Sequence, residues 1–391
     1  MNRPVKPVFR PLFLAFLLVG MMKLGFAQEM KNNWFIDLGF RSGIFVTNFT
    51  DTNFANTYML GADLRLGKQT FGRKEWEQWH HFPSYGLLIR YGKFNNPRLD
   101  QKMGLLLFLN GNIVKHAWFS LKYEMAAGLA FWFKPYNLIH NPDNLYIGSV
   151  VTCHINLAVS ANFMISKNLD LILRGNFSHS SNGLLKMPNL GVNMASFDLG
   201  LRYYVKKRAE QTVTIDTINT FSPVNTFLFY YAPGVCKSRK LFNPPDQISQ
   251  KLFFTSTFQV AYYRQPHPVF RYGAGLDLMY NSEIINQLPD EIKEHRNCIS
   301  LGAFTSFEII YGRLIVNLEF GGYLYRAYPF NMPIYERFGI KFLCDKRKNF
   351  FLGVALKAHA ARAESIEWIA GYQFISWKDK KFVRRIKQNK F

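Results

Sequence analysis

Long apolar runs are what this sequence has least of. Beyond the first 27 residues no stretch approaches the eighteen or so uninterrupted apolar residues that a membrane-crossing helix needs. A helical membrane protein is thereby excluded, although 48% of the 391 residues are hydrophobic. Cysteine is also scarce. Cys153, Cys236, Cys298 and Cys344 stand far apart with no Cys-x-x-Cys pair, which excludes a zinc-finger module and leaves three disulfide pairings or four free thiols open. Acidic residues are the third shortage, 26 Asp and Glu against 48 Lys and Arg, for a net charge of +22. Such a balance favours anionic partners through long-range attraction.

The N-terminus says where those partners would be met. Arg3, Lys6 and Arg10 precede an apolar stretch over 12–22, and Gly25, Phe26 and Ala27 lead to a cut before Gln28. That is the pattern of a cleaved secretory signal over 1–27. About eleven apolar residues are too few to span a bilayer, so an uncleaved anchor is the weaker reading. No cysteine follows the cut, so a lipoprotein anchor is not indicated. Export makes nucleic acid a poor partner and the phosphates of an outer leaflet a better one.

What the chain has in abundance is aromatics and alternation. Phe, Trp and Tyr make up 17% of the residues, with 38 Phe and 20 Tyr. Apolar and polar side chains alternate at 33–48, 56–66, 84–94, 102–110, 117–133, 150–164, 168–181 and 193–205. They do so again at 225–233, 251–265, 269–281, 298–311, 313–326, 334–344, 349–360 and 365–377. The run over 117–133 is the clearest: Phe119, Leu121, Tyr123, Met125, Leu129, Phe131 and Phe133 share one face, and Ser120, Lys122, Glu124 and Gly128 share the other. Charges turned inward and an unbroken apolar face turned outward invert the pattern of a soluble core. Trp118 and Trp132 are expected at the membrane interfaces.

Export, aromatics and alternation together predict an all-β chain, an antiparallel outer-membrane β-barrel embedded in the membrane; a secreted β-sandwich is the bland competitor. Sixteen runs would close as one barrel of about 14–16 strands, with two eight-stranded units as the alternative. One barrel is preferred, because the polar break over 206–224 is short enough for an ordinary loop. The expected organisation is a signal over 1–27, one barrel half over 28–205, a second half over 206–377 and a basic tail over 378–391, the tail reading as a solvated end.

The run over 169–181 carries the chemistry. Leu169, Leu171, Leu173, Gly175, Phe177, His179 and Ser181 fall on one face, and Asp170, Ile172, Arg174, Asn176 and Ser178 on the other. A histidine and a hydroxyl two residues apart on the greasy face are poor packing, but they suit a nucleophile and its base if the substrate is itself a lipid. Turn residues follow over 185–191, and the returning run places Asn193 on the apolar face across from His179 and Ser181. Serine needs a neighbouring base, imidazole titrates in the range that suits one, and an asparagine oxygen can fix its tautomer. Backbone N–H groups at Asn182 and Gly183 could supply an oxyanion hole. The bland reading is that these polar residues mark the strand's exit into headgroups, as is common at barrel rims.

His179, Ser180, Ser181, Asn182 and Gly183, followed by Pro188, Asn189, Leu190 and Gly191, resemble the outer-membrane lipid A 3-O-deacylase family. Lys134-Pro135-Tyr136, Asn141-Pro142 and Ile147-Gly148-Ser149 look like its larger acyloxyacyl-hydrolase relatives. The similarity covers residues 80–205 and leaves 206–391 unexplained. It implies Ser181 as nucleophile, His179 as base, and Asn182 and Gly183 near the oxyanion, with no metal and no organic cofactor. It also shows one departure: the family's third member is typically a glutamate about twelve residues after the serine, and here that position is Asn193. The expectation is a serine esterase that removes an ester-linked acyl chain from lipid A or another outer-leaflet lipid. The alternatives are a porin or lipid-transport barrel that retains the motif and, more weakly, an assembly partner.

Overall fold

A computed structural model describes residues 33–46, 52–206, 221–237, 251–327, 332–360 and 362–378. The expected signal, most of the polar break and all but the first residue of the basic tail lie outside them. The alternating runs become sixteen antiparallel strands. The first eight are β1 (Trp34–Val46), β2 (Tyr58–Gln69), β3 (Ser84–Phe94), β4 (Gln101–Lys115), β5 (Phe119–Trp132), β6 (Val151–Met164), β7 (Leu169–Ser181) and β8 (Val192–Tyr204). The second eight are β9 (Val224–Lys237), β10 (Leu252–His267), β11 (Phe270–Asn281), β12 (Ile299–Tyr311), β13 (Leu314–Arg326), β14 (Ile334–Leu343), β15 (Phe350–His359) and β16 (Arg362–Lys378).

These strands form two closed eight-stranded barrels, which corrects the preference for a single larger one and bears out the alternative. β8 returns to β1, from Phe35 opposite Tyr204 to Val46 opposite Asn193. β16 returns to β9, from Ile366 opposite Val235 to Lys378 opposite Val224. Each closure leaves no unpaired edge, so neither half needs the other to satisfy its backbone. The segment between β8 and β9 was the reason to prefer one barrel. It joins strand ends on the same side of the molecule, and its 19 residues can reach roughly 60 Å when extended.

An eight-stranded barrel has an interior just wide enough for side chains to fill. Here charged residues fill it. In the first barrel Arg174 bridges Asp37 and Asp198 at 2.9 Å each, Arg65 meets Glu124 at 3.0 Å, Arg90 meets Asp63 at 2.8 Å and Arg202 meets Asp37 at 2.9 Å. In the second, Arg337 joins Asp277, Glu319 and Glu367, while Arg271 and Lys341 hold Glu308. The outward rows are apolar and half exposed, as Leu38, Phe40, Leu157, Phe197, Tyr272, Leu276 and Phe320 show. That is the arrangement of a membrane barrel. No helix among the described residues is long and apolar enough to cross a membrane.

Two expectations resolve at the level of single side chains. Trp118 is exposed in the turn just before β5, but Trp132 is buried inside the barrel, where its indole N–H donates to Thr152 Oγ1 at 3.0 Å and its ring stacks on Phe94. Parity explains this: Trp132 belongs to the same inward row as Lys122, Glu124 and Ala130. All four cysteines are free thiols.

The barrels stand side by side in the same orientation and touch near both ends. At the end with the shorter connections, the β2–β3 segment carries a short helix α1 (Glu75–Trp79) and then His80. His80 stacks on Tyr311 with ring centres 4.1 Å apart, and its Nε2–H donates to the Ile310 carbonyl at 2.8 Å. Tyr123 and Tyr311 hydroxyls meet at 3.2 Å. At the end with the longer loops, Gly183 of the β7–β8 loop lies against Ile366 and Leu356 of the second barrel.

Candidate active site

β7 places His179 and Ser181 on its outer face, in the lipid-facing row that begins at Leu169. β8 places Asn193 directly opposite His179 in the pairing register. The register makes the side-chain contact: His179 Nδ1 lies 2.7 Å from Asn193 Oδ1. An amide oxygen only accepts, so Nδ1 carries the proton in this arrangement and Nε2 of the neutral ring keeps a free lone pair. That is the tautomer a general base needs. His179 and Ser181 are not hydrogen-bonded to each other here: the imidazole bonds Asn193 and the hydroxyl oxygen bonds Gly183 and Asn189, with backbones at i and i+2 about 7 Å apart.

Ser181 Oγ accepts two hydrogen bonds, from the Gly183 backbone N–H at 3.2 Å and from Asn189 Nδ2 at 2.8 Å. Both donors point at the serine oxygen itself and hold the hydroxyl in place on the outer wall. Asn189 was not singled out by sequence reasoning, although the turn that holds it was. Its other end accepts the Asn182 N–H at 3.1 Å, so that N–H points to Asn189 rather than to Ser181. The Asn182 side chain is turned into the loop, where its Nδ2 donates to Ser149 Oγ at 3.1 Å and to the Lys186 carbonyl at 2.7 Å. Of the two expected backbone donors, Gly183 is therefore the one at the hydroxyl, and Asn189 supplies the second.

The loop that carries these groups is held by its own chemistry. Gly191 has a φ of +78°, and a Cβ there would lie 2.7 Å from His179 Cε1. Glycine at this position therefore serves both the turn and the close approach of backbone to the imidazole. The Gly191 N–H donates to the Tyr146 carbonyl at 3.0 Å, and the Leu190 N–H to the Leu145 carbonyl at 3.2 Å. The β5–β6 loop, part of the stretch likened to the larger relatives, thus braces the loop beside Ser181. Asn144 pins that β5–β6 loop in turn, donating to the Lys134 carbonyl at 2.9 Å and to the Arg98 carbonyl at 3.1 Å.

A second histidine–serine pair lies on the opposite face of the same strands. His154 Nδ1 is 2.6 Å from Ser180 Oγ, and both side chains are fully buried in the first barrel. Sequence reasoning did not single out this pair, whose residues belong to the inward rows of β6 and β7. A lipid held in the membrane has no route to it through a lumen filled by Arg41, Arg65, Arg90 and Arg174. Among the described residues, no three His, Cys, Asp or Glu side chains converge to hold a metal ion.

Residues 224–377 match the family described as acyloxyacyl hydrolase, C-terminal domain. The match falls on the half that the sequence resemblance left unexplained. A search of curated proteins gives no match. Among solved structures, the chain is similar to Neisserial surface protein A, at 10% identity over 44% of this chain and 96% of that one, with a TM-score of 0.28. It is also similar to the siderophore receptor PirA of Pseudomonas aeruginosa, at 10% identity over 87% and 61% with a TM-score of 0.24. Omp33 of Acinetobacter baumannii matches at 7% identity over 88% and 100%, with a TM-score of 0.17. The second barrel is thus similar to the family described as acyloxyacyl hydrolase, C-terminal domain, over its whole length.

Proposed function

We propose that this protein is a serine esterase of the outer membrane that hydrolyses an ester-linked acyl chain of lipid A or a related outer-leaflet lipid. The observation that carries this reading is the set of groups on the lipid-facing wall: His179 oriented by Asn193, and Ser181 under two donors from Gly183 and Asn189. Ser181 attacks the acyl carbonyl carbon as His179 Nε2 takes the hydroxyl proton. The negative charge that forms on the carbonyl oxygen is met by the Gly183 N–H and the Asn189 amide. The ester C–O bond then breaks, the departing sugar hydroxyl receives the proton from His179, and the acyl chain stays on Ser181. Water, activated by the same imidazole, releases it as a fatty acid.

A porin is the weaker alternative. Both lumens are packed with buried arginine–carboxylate clusters, which favours a wall that presents a site over a wall that encloses a channel. Purified full-length protein in detergent micelles, given lipid A, tests the reading through fatty-acid release. Wild type is expected to release it, and Ser181→Ala and His179→Ala are each expected to lose release while keeping the folded barrels' resistance to denaturation. Undiminished release by Ser181→Ala would remove the assignment.

A further inference from the structure

The β7–β8 loop leaves its strand through two consecutive residues with left-handed backbone. Gly183 has a φ of +61° and Leu184 a φ of +65°. Glycine adopts that region freely, but a leucine there costs about 1–2 kcal/mol. Such a conformation persists only where the surroundings over-determine it. The same turn decides where the Gly183 N–H points, and it points at Ser181 Oγ, 3.2 Å away.

Support for the turn comes from two sides. On one is the β5–β6 loop of the first barrel: Asn182 Nδ2 donates to Ser149 Oγ at 3.1 Å, and a Cβ on Gly148 would lie 2.2 Å from the Pro188 carbonyl oxygen. On the other is the second barrel. A Cβ on Gly183 would lie 2.6 Å from Ile366 Cδ1 and 3.6 Å from Leu356 Cδ1, so these side chains already occupy the space that a side chain at 183 would take. Ile366 and Leu356 stand directly opposite one another on β16 and β15, and form one apolar patch on the outer wall. Exposure records the contact: on the outer row of β7, Phe177 is 49% exposed and Ser181 is 8% exposed, and Gly183 beyond them is buried. The clasp at the opposite end, His80 on the Tyr311 ring and on the Ile310 carbonyl, fixes how the second barrel sits and so where the patch lies.

We propose that the second barrel is a positioning element for the site on the first: Ile366 and Leu356 press on Gly183 and hold its N–H on the Ser181 hydroxyl. This rests on Ser181 being the nucleophile. Ile366 and Leu356 act through Gly183 and not on the substrate. A buttress of this kind works by close packing, which resists displacement, and not by hydrophobic attraction, which an apolar medium does not supply. A misplacement of about 1 Å can cost about 10²-fold in rate, so a few methyl groups removed from the patch reach the chemistry.

Full-length protein in detergent micelles carries the test, with backbone hydrogen exchange read by mass spectrometry beside fatty-acid release from lipid A. Ile366→Ala should speed exchange of the 182–191 peptide severalfold, leave the β7 and β8 peptides protected, and lower kcat about tenfold with KM unchanged. Ile366→Val should restore both readouts. Tyr272→Ala, on β11 across the second barrel from the patch, should change neither. Gly183→Ala sets a Cβ against Ile366 and should lower kcat; combined with Ile366→Ala, the fold-loss should be smaller than the product of the two single losses. Losses that simply multiply, or loop exchange and kcat left at wild-type values by Ile366→Ala, would overturn the proposal. Faster loop exchange in Ile366→Ala, with a wild type that releases no fatty acid, would keep the buttress and remove the esterase. Ser181-dependent release, with neither readout moved by Ile366→Ala, would do the reverse.

Discussion

Asn193→Asp isolates the contact that orients the imidazole. The substitution keeps the shape that holds His179 Nδ1 at 2.7 Å and changes only the charge of the acceptor. The effect is expected in the transition state rather than in the resting site. In the transition state the ring carries a positive charge, and a neutral hydrogen bond worth about 1 kcal/mol becomes a charged one worth about 1.5–3 kcal/mol. The gain of roughly 0.5–2 kcal/mol corresponds to a rise of about 2- to 30-fold in kcat. Two full charges about 4 Å apart at an effective dielectric of 20 set a ceiling near 4 kcal/mol, which a half-buried site open to the membrane surface will not reach. KM should stay where it is, because the effect belongs to the transition state. Asn193→Leu removes the acceptor and should lower kcat by about tenfold or more, through a misoriented ring and a lost tautomer preference. The assay is fatty-acid release from lipid A by purified protein. An unchanged kcat in Asn193→Leu, or no rise in Asn193→Asp, would show that Asn193 does not orient His179.

Other outcomes follow from single contacts. Asn189→Ala removes the amide that donates to Ser181 Oγ at 2.8 Å, and should cost about 10²- to 10³-fold in kcat with a smaller change in KM, read by the same release assay. Arg174→Ala leaves Asp37 and Asp198 without their shared 2.9 Å partner inside the first barrel; a loss of about 3–5 kcal/mol should appear as a lower urea midpoint. Burial pushes the His80 imidazole below its usual value of 6.5; the hydrogen bond to the Ile310 carbonyl opposes this, and His81 and His267 add to it. A depressed histidine costs nothing above the unfolded value and destabilises the fold as pH falls below about 6.5. The unfolding midpoint of wild type should therefore drop between about pH 7.5 and about pH 5.5, and that drop should be smaller in His80→Gln; identical slopes would contradict the account.

Strand existence was legible because period-two alternation is a local property, and residues 117–133 or 313–326 display it without reference to anything else. Closure was not legible. An outward apolar row and an inward polar row look the same in a barrel of eight strands and in one of sixteen. The pairing of Tyr204 with Phe35, which decides between them, leaves no mark on either residue. Trp132 shows a different limit. Its type suggested a membrane interface, but its parity placed it inside, where Lys102 sits 5.1 Å from its ring. Parity is set by the backbone and prevailed over residue preference. At the site, His179, Ser181 and Asn193 could be placed on one face because all three lie on strands. Asn189 could not, because its side chain reaches Ser181 through a loop that has no period. The Gly183 contact with Ile366 joins residues far apart in sequence and in different barrels, so only the folded chain reveals it.

Mass spectrometry of lipid A from cells that express wild type or Ser181→Ala tests the central claim most directly. The account predicts that wild type shortens lipid A by the mass of one acyl chain, that Ser181→Ala leaves it intact, and that both proteins are recovered folded in the outer membrane. Identical spectra from the two, with both proteins folded there, would contradict it.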